Sequence, residues 1–113
     1  MLHPRFFFFF LFLATAQAAQ AQKVFSVEYA SQADVKVFVA EYPSQADLLV
    51  FKVAYESQAG KNDGKWFFTK YPSQANHKVF FTDYASQADV RIYFVKYESE
   101  AGWKKKEKQA LFY

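Results

Sequence analysis

Lys23-Val24-Phe25-Ser26-Val27-Glu28-Tyr29-Ala30-Ser31-Gln32-Ala33-Asp34-Val35 recurs in recognisable form six times along a chain of 113 residues. Copies begin at Lys23, Lys36, Leu49, Lys65, Lys78 and Arg91. The first seven positions of each copy alternate as a β-strand does: Phe25, Val27 and Tyr29 share one face, and Val24, Ser26 and Glu28 the other. The equivalent triplets are Phe38-Ala40-Tyr42, Phe51-Val53-Tyr55, Phe67-Thr69-Tyr71, Phe80-Thr82-Tyr84 and Tyr93-Val95-Tyr97. One face is aromatic at both ends with a small or β-branched residue between, and this recurrence predicts that the aromatic face points inward as the core.

The rest of each copy reads as a tight turn. Ser31 to Asp34, Ser44 to Asp47, Ser57 to Gly60, Ser73 to Asn76, Ser86 to Asp89 and Ser99 to Gly102 all place a serine three residues before an acid, amide or glycine. That spacing resembles a capping box and predicts one helical turn, with Ser31, Asp34, Ser44, Asp47, Ser73, Asn76, Ser86 and Asp89 as turn-capping residues. Pro43 and Pro72 precede the serine, where an extended residue without an amide donor is tolerated. The alanine fixed in every turn predicts a site too tight for a larger side chain.

A longer period overlies the short one. The residue before serine runs Ala30, Pro43, Glu56 and then Pro72, Ala85, Glu98, while the fourth turn residue runs Asp34, Asp47, Gly60 and then Asn76, Asp89, Gly102. The domain is therefore two pseudo-equivalent halves, about 23–64 and 65–108. Asn62-Asp63-Gly64 supplies turn chemistry at the join. Six short strands with open edges invite aggregation, so closure is expected. The predicted class is all-β, a closed repeat domain of six short strands plus a short C-terminal segment, with Ala110-Leu111-Phe112-Tyr113 tucked against it.

Ahead of the repeats, His3 and Arg5 precede the apolar run Phe6 to Leu13, followed by Ala14-Thr15-Ala16, Ala16-Gln17-Ala18 and Ala19-Gln20-Ala21. This is the pattern of a signal peptide, residues 1–21, with cleavage expected after Ala18 or Ala21 and a domain of 22–113 secreted or delivered to the periplasm. The run is shorter than the roughly 20 residues of a membrane span. With no cysteine, neither disulfides nor a lipid-acceptor thiol is available. The formal net charge is +3. Lys104-Lys105-Lys106-Glu107-Lys108 carries as much excess by itself, so the repeat body is close to neutral and no nucleic-acid partner is expected.

The tandem Tyr-x-Ser-x-Ala-Asp units resemble the septoil-knot family, as do Gly64-Lys65-Trp66-Phe67-Phe68-Thr69 and the ending from Gly102-Trp103-Lys104 to Leu111-Phe112-Tyr113. Those are small all-β domains of uncharacterised function with a seven-crossing torus knot in the backbone. The resemblance spans about 23–113 and implies windings around a ring. It brings no catalytic residues with it.

Candidate chemistry is sparse. His77, the one histidine after the leader, stands where other copies have Val35, Leu48 or Val90, so it reads as a packed ring. Asp34, Asp47, Asn76 and Asp89 lack the dense spacing of a calcium loop, and no metal or cofactor is expected. Trp66, Phe68, Phe81 and Trp103 break the repeat pattern and are the candidates for an exposed aromatic platform. Trp103 with Lys104, Lys105, Lys106 and Lys108 forms an aromatic and cationic cluster suited to an anionic cell-envelope glycan. The reading is a monomeric, non-catalytic structural or polymer-binding module. A self-assembling structural protein and, more weakly, a small hydrolase are the alternatives.

Overall fold

The computed structural model describes residues 21–113. The predicted leader and its cleavage after Ala18 lie outside the described residues. The six copies supply strands β1 (Lys23–Ser26), β2 (Val35–Val39), β3 (Leu48–Lys52), β4 (Lys65–Phe68), β5 (His77–Phe81) and β6 (Val90–Phe94). A short β7 (Gly102–Trp103) and a 3₁₀ helix over Lys106–Phe112 end the chain.

The first six strands are all parallel, in the order β4-β1-β5-β2-β6-β3, and β3 also pairs with β4, which closes the barrel. Successive strands of one half are never neighbours; a strand of the other half always lies between them. Register explains how so short a repeat manages this. Val79 pairs on one side with Ser26, at the end of β1, and on the other with Val35, at the start of β2. Val37 pairs in the same way with Phe81 and Val90, and Ile92 with Val39 and Leu48. The strands wind so steeply that each connection has to step over only one strand, where parallel neighbours ordinarily need a crossover of a dozen residues or more. The 3₁₀ turns make that step: Ala30–Gln32 lies against β5, Pro43–Gln45 against β6, Glu56–Gln58 against β4 and Glu98–Glu100 against β3. The two halves are thus two interleaved windings of one barrel.

Burial reverses the predicted face. Val24, Val35, Val37, Leu48, Val50, Val79, Val90 and Ile92 are at most 1% exposed, and together with Trp66 and Phe112 they form the core. The aromatic triplets face outward. Phe25, Phe38, Phe51, Phe67, Phe80 and Tyr93 are half-buried, and Tyr29, Tyr42, Tyr55, Tyr71, Tyr84 and Tyr97 are 56–69% exposed. The physical reason is the bore: eight strands enclose just enough room for side chains to fill, and six enclose less, so aliphatic side chains take most inward positions and Trp66 and Phe112 are the large rings buried with them. Ala40, Val53, Thr69 and Thr82, between the rings, are nonetheless buried on the outer side, where the crossing turns run.

The turn-capping assignment is also corrected. The cap position of each turn is Tyr29, Tyr42, Tyr71 or Tyr84, without a side-chain cap, so Ser31, Ser44, Ser73 and Ser86 do not serve there. The acids and amide reach across the barrel instead. Asp34 accepts the Lys78 N–H at 2.9 Å, Asp47 that of Arg91 at 2.9 Å, Asn76 that of Lys23 at 3.2 Å and Asp89 that of Lys36 at 2.8 Å. Each ties a turn to the opening residue of a strand in the other winding.

The every-third-copy Glu and Gly mark where a winding meets its own start. Glu56 pairs with Lys23 at 2.9 Å, and Glu98 with Lys65 at 3.4 Å. The Gln22 N–H donates to Gly60 O at 2.9 Å, and the Gly60 N–H to Lys65 O at 2.9 Å. Gly60 has no carboxylate to offer Lys65, and Asp63 supplies it, accepting the Lys65 N–H at 3.3 Å. A Cβ on Gly60 would run into that carboxylate. Gly64, at φ 92°, passes so close to Leu49 O that a side chain there would collide with backbone.

Candidate functional site

The C-terminal segment is a clamp. β7 runs antiparallel to β3, and the Lys104 and Lys105 N–H groups both donate to Asp47 O, at 2.8 and 3.0 Å. Lys108 Nζ and Lys105 Nζ then reach the Asp47 carboxylate, at 3.2 and 3.3 Å. Asp47 is 2% exposed. Burial pushes its carboxyl up, but the Arg91 N–H and the Lys108 and Lys105 ammonium groups outweigh that and hold it below the usual carboxylate range. Lys104 Nζ donates to Pro43 O at 3.0 Å, and Lys108 Nζ also to Asp89 O at 3.2 Å. Of the predicted polymer-contact residues, Lys104, Lys105 and Lys108 therefore bind this chain itself, and Lys106 stands exposed.

Trp103 belongs to the same closure. Its Nε1–H donates to Asn62 O at 3.1 Å and Asn62 Oδ1 at 3.2 Å, and its ring lies 5.8 Å from that of Phe112. Asn62, at φ 64°, adopts the left-handed turn conformation that asparagine tolerates, and its Nδ2 donates to Gln109 O at 2.9 Å. Phe112 plugs one end of the barrel, 5.3 Å from Trp66 and 5.2 Å from His77, and accepts the Gln22 Nε2–H at its carbonyl, 3.3 Å away. Burial pushes the His77 imidazole below its ordinary pKa, against the raising effects of the Phe112 carbonyl and the Asp34 charge.

The other predicted platform residues are also internal or self-covered. Trp66 is buried, and Phe68 and Phe81 pack on the core with Phe94, ring to ring at 6.4 Å. Lys52 Nζ sits 4.3 Å from the Phe94 ring centroid and 5.4 Å from that of Phe68, a cation cap on this aromatic mouth. Among the described residues no group of three His, Asp or Glu gathers in a metal-binding arrangement, and no helix there is long and apolar enough to cross a membrane.

What the outer surface does present is repeated. Six tyrosines, Tyr29, Tyr42, Tyr55, Tyr71, Tyr84 and Tyr97, stand out at equivalent positions. Between turns of the two windings lie clefts. One, of about 580 Å³, is lined by Phe25, Ser26, Val27, Glu28, Tyr29, Gln32, Pro72 and Lys78. A second, of about 260 Å³, is lined by Phe38, Ala40, Glu41, Gln45, Ala85 and Arg91. Sequence reasoning assigned these rings to the core and so missed the surface; the alternate run of valines was the signal that could have found it.

The sequence pattern of the 7(1) septoil knot domain fits residues 21–104. The chain belongs to the septoil-knot family. No curated protein and no solved structure matches it. The septoil-knot windings account for the interleaved strand order, and the family match ends at Lys104, before the lysines that hold Asp47.

Proposed function

We propose that this septoil-knot domain is an exported, non-catalytic module that binds a cell-envelope or extracellular polymer through its outer aromatic surface. The observation that carries the reading is the set of six tyrosines, 56–69% exposed, at one position of every copy. Exposed rings contribute little to a fold, and an array of them offers apolar area with a hydroxyl at each tip for a partner to meet. A ligand built of repeating units suits a surface built of repeating units. The lysine cluster favours an anionic glycan less than its sequence suggests, because three of its four ammonium groups are turned onto Asp47, Pro43 O and Asp89 O.

The test is sedimentation with insoluble polymers: peptidoglycan sacculi, chitin and cellulose. The protein is expected to pellet with at least one of them, Tyr29→Ser combined with Tyr42→Ser is expected to weaken pelleting, and Lys106→Ala is expected to leave it intact. Failure to pellet with any polymer, or pelleting lost only on Lys106→Ala, would overturn the reading.

A further inference from the structure

The two clefts are one site made twice. Phe25 and Phe38 hold the same position in copies one and two, as do Glu28 and Glu41, and Gln32 and Gln45. The opposite wall matches too: Pro72 and Ala85 each open a turn of the other winding, and Lys78 and Arg91 each begin its next copy. Each cleft thus offers one half-buried ring, one carboxylate, one side-chain amide and one cation.

Three of the other four copies lack the carboxylate. In copy three Ala54 replaces the glutamate, and the corresponding basic residue, Lys65, is occupied by Glu98 at 3.4 Å. In copies four and six Lys70 and Lys96 stand at the glutamate position; copy five keeps Phe80, Gln87 and, across from Phe80, Lys36, but its acid is the shorter Asp83 and its Gln87 Oε1 accepts the Thr82 hydroxyl at 3.4 Å. Nothing in the fold requires Glu28 and Glu41: both are exposed.

We propose that the paired clefts are binding sites for an uncharged pyranose oligosaccharide, an inference that rests on the polymer-binding reading and names its ligand. A sugar ring presents a patch of C–H groups on one face, which lies on an aromatic ring. Its vicinal hydroxyls present donors and acceptors around the edge, which a carboxylate and an amide satisfy together. A carboxylate and a cation in each cleft cancel, so neither a polyanion nor a polycation gains net attraction, and binding is nearly independent of salt. Proline-rich peptide is disfavoured because such grooves present several aromatic walls to an extended helix, and the second cleft has a single ring.

The test uses protein recovered from expression of the full 113-residue chain, titrated by calorimetry and by amide NMR with cellohexaose and chitohexaose. Hexagalacturonate and a decaproline peptide serve as comparators. One of the neutral hexasaccharides is expected to bind at two sites, shifting the amides of 25–32 and 38–45, with affinity unchanged between low and moderate salt. Glu28→Ala and Glu41→Ala are each expected to remove one site, weakening it about tenfold or more, and the double variant both. No shift in either cleft with both neutral sugars, or preferential occupancy by hexagalacturonate or decaproline, overturns the inference. If the protein still pellets with an insoluble polymer through its tyrosines, that failure leaves the broader reading standing. If it pellets with none, both fall.

Discussion

Replacing Asp47 with alanine is expected to open the C-terminal clamp at a cost of about 2–4 kcal/mol. The carboxylate accepts the Arg91 N–H at 2.9 Å in a site 2% exposed, and a hydrogen bond to a charged group contributes roughly 1.5–3 kcal/mol. Lys105 and Lys108 keep 57% and 35% of their side chains in solvent, so each pair adds only about 0–1 kcal/mol. The larger loss seen when a buried ion pair is broken does not apply, since both ammonium groups can return to water. Asp34→Ala provides the scale. That residue accepts the Lys78 N–H at 2.9 Å but is exposed and binds no tail lysine, so about 1 kcal/mol is expected. Asp47→Asn keeps an acceptor oxygen, as Asn76 does at the equivalent position, and should fall between the two. Urea unfolding followed by tryptophan fluorescence measures all three, with Trp103 reporting the tail. A cost for Asp47→Ala no greater than that for Asp34→Ala would refute the claim that this carboxylate holds the C-terminal segment.

Stability should fall in two stages as pH is lowered. His77 has a lowered folded pKa, so the unfolded chain takes up its proton first and stability declines below about pH 6.5, a slope that His77→Phe should abolish. Asp47 is also lowered, so its contribution is complete above about pH 3.9 and is lost as pH falls through its folded value; Asp47→Asn should flatten that second stage. Phe112→Ala empties the barrel end beside Trp66, His77 and Trp103 and should cost about 3–5 kcal/mol by thermal unfolding, while Tyr113→Ala, 72% exposed, should cost little. Gly60→Asp should destabilise through collision with Asp63, and pairing it with Asp63→Gly should restore stability, since the carboxylate then returns to its place in the other copies; no recovery in the double variant would refute the substitution of one for the other. Refolding from denaturant should show a slow phase that survives Pro43→Ala with Pro72→Ala, because two interleaved windings must be threaded; a phase removed by those changes would be proline isomerisation instead.

The repeat, its strand and turn, and the division into halves were legible because each leaves a local mark: a period of two, a serine-led turn, and a glycine in place of an acid every third copy. Asp34, Asp47, Asn76 and Asp89 were legible as hydrogen-bond acceptors of fixed position. Their partners were not, because Lys78, Arg91, Lys23 and Lys36 lie 44 or 53 residues away. A gap of 33 residues likewise hid the meaning of Glu56 and Glu98, which are ring closures and look in sequence like variations in a turn. The lysine cluster looked free for a partner, since nothing nearby in the chain shows that Asp47 awaits it.

Choosing the core face was a different kind of failure. Both faces of each strand are apolar, as they are in parallel sheets covered on both sides, so alternation identified strands without saying which side was inside. By itself the sequence determined the units: their number, their length, their turn chemistry and their order. Only the tertiary structure decided that the units interleave, and that valines fill the bore while the tyrosines stand outside. A six-stranded bore has no room for a ring from every strand, and which residues meet across it depends on a register set by the whole closed barrel.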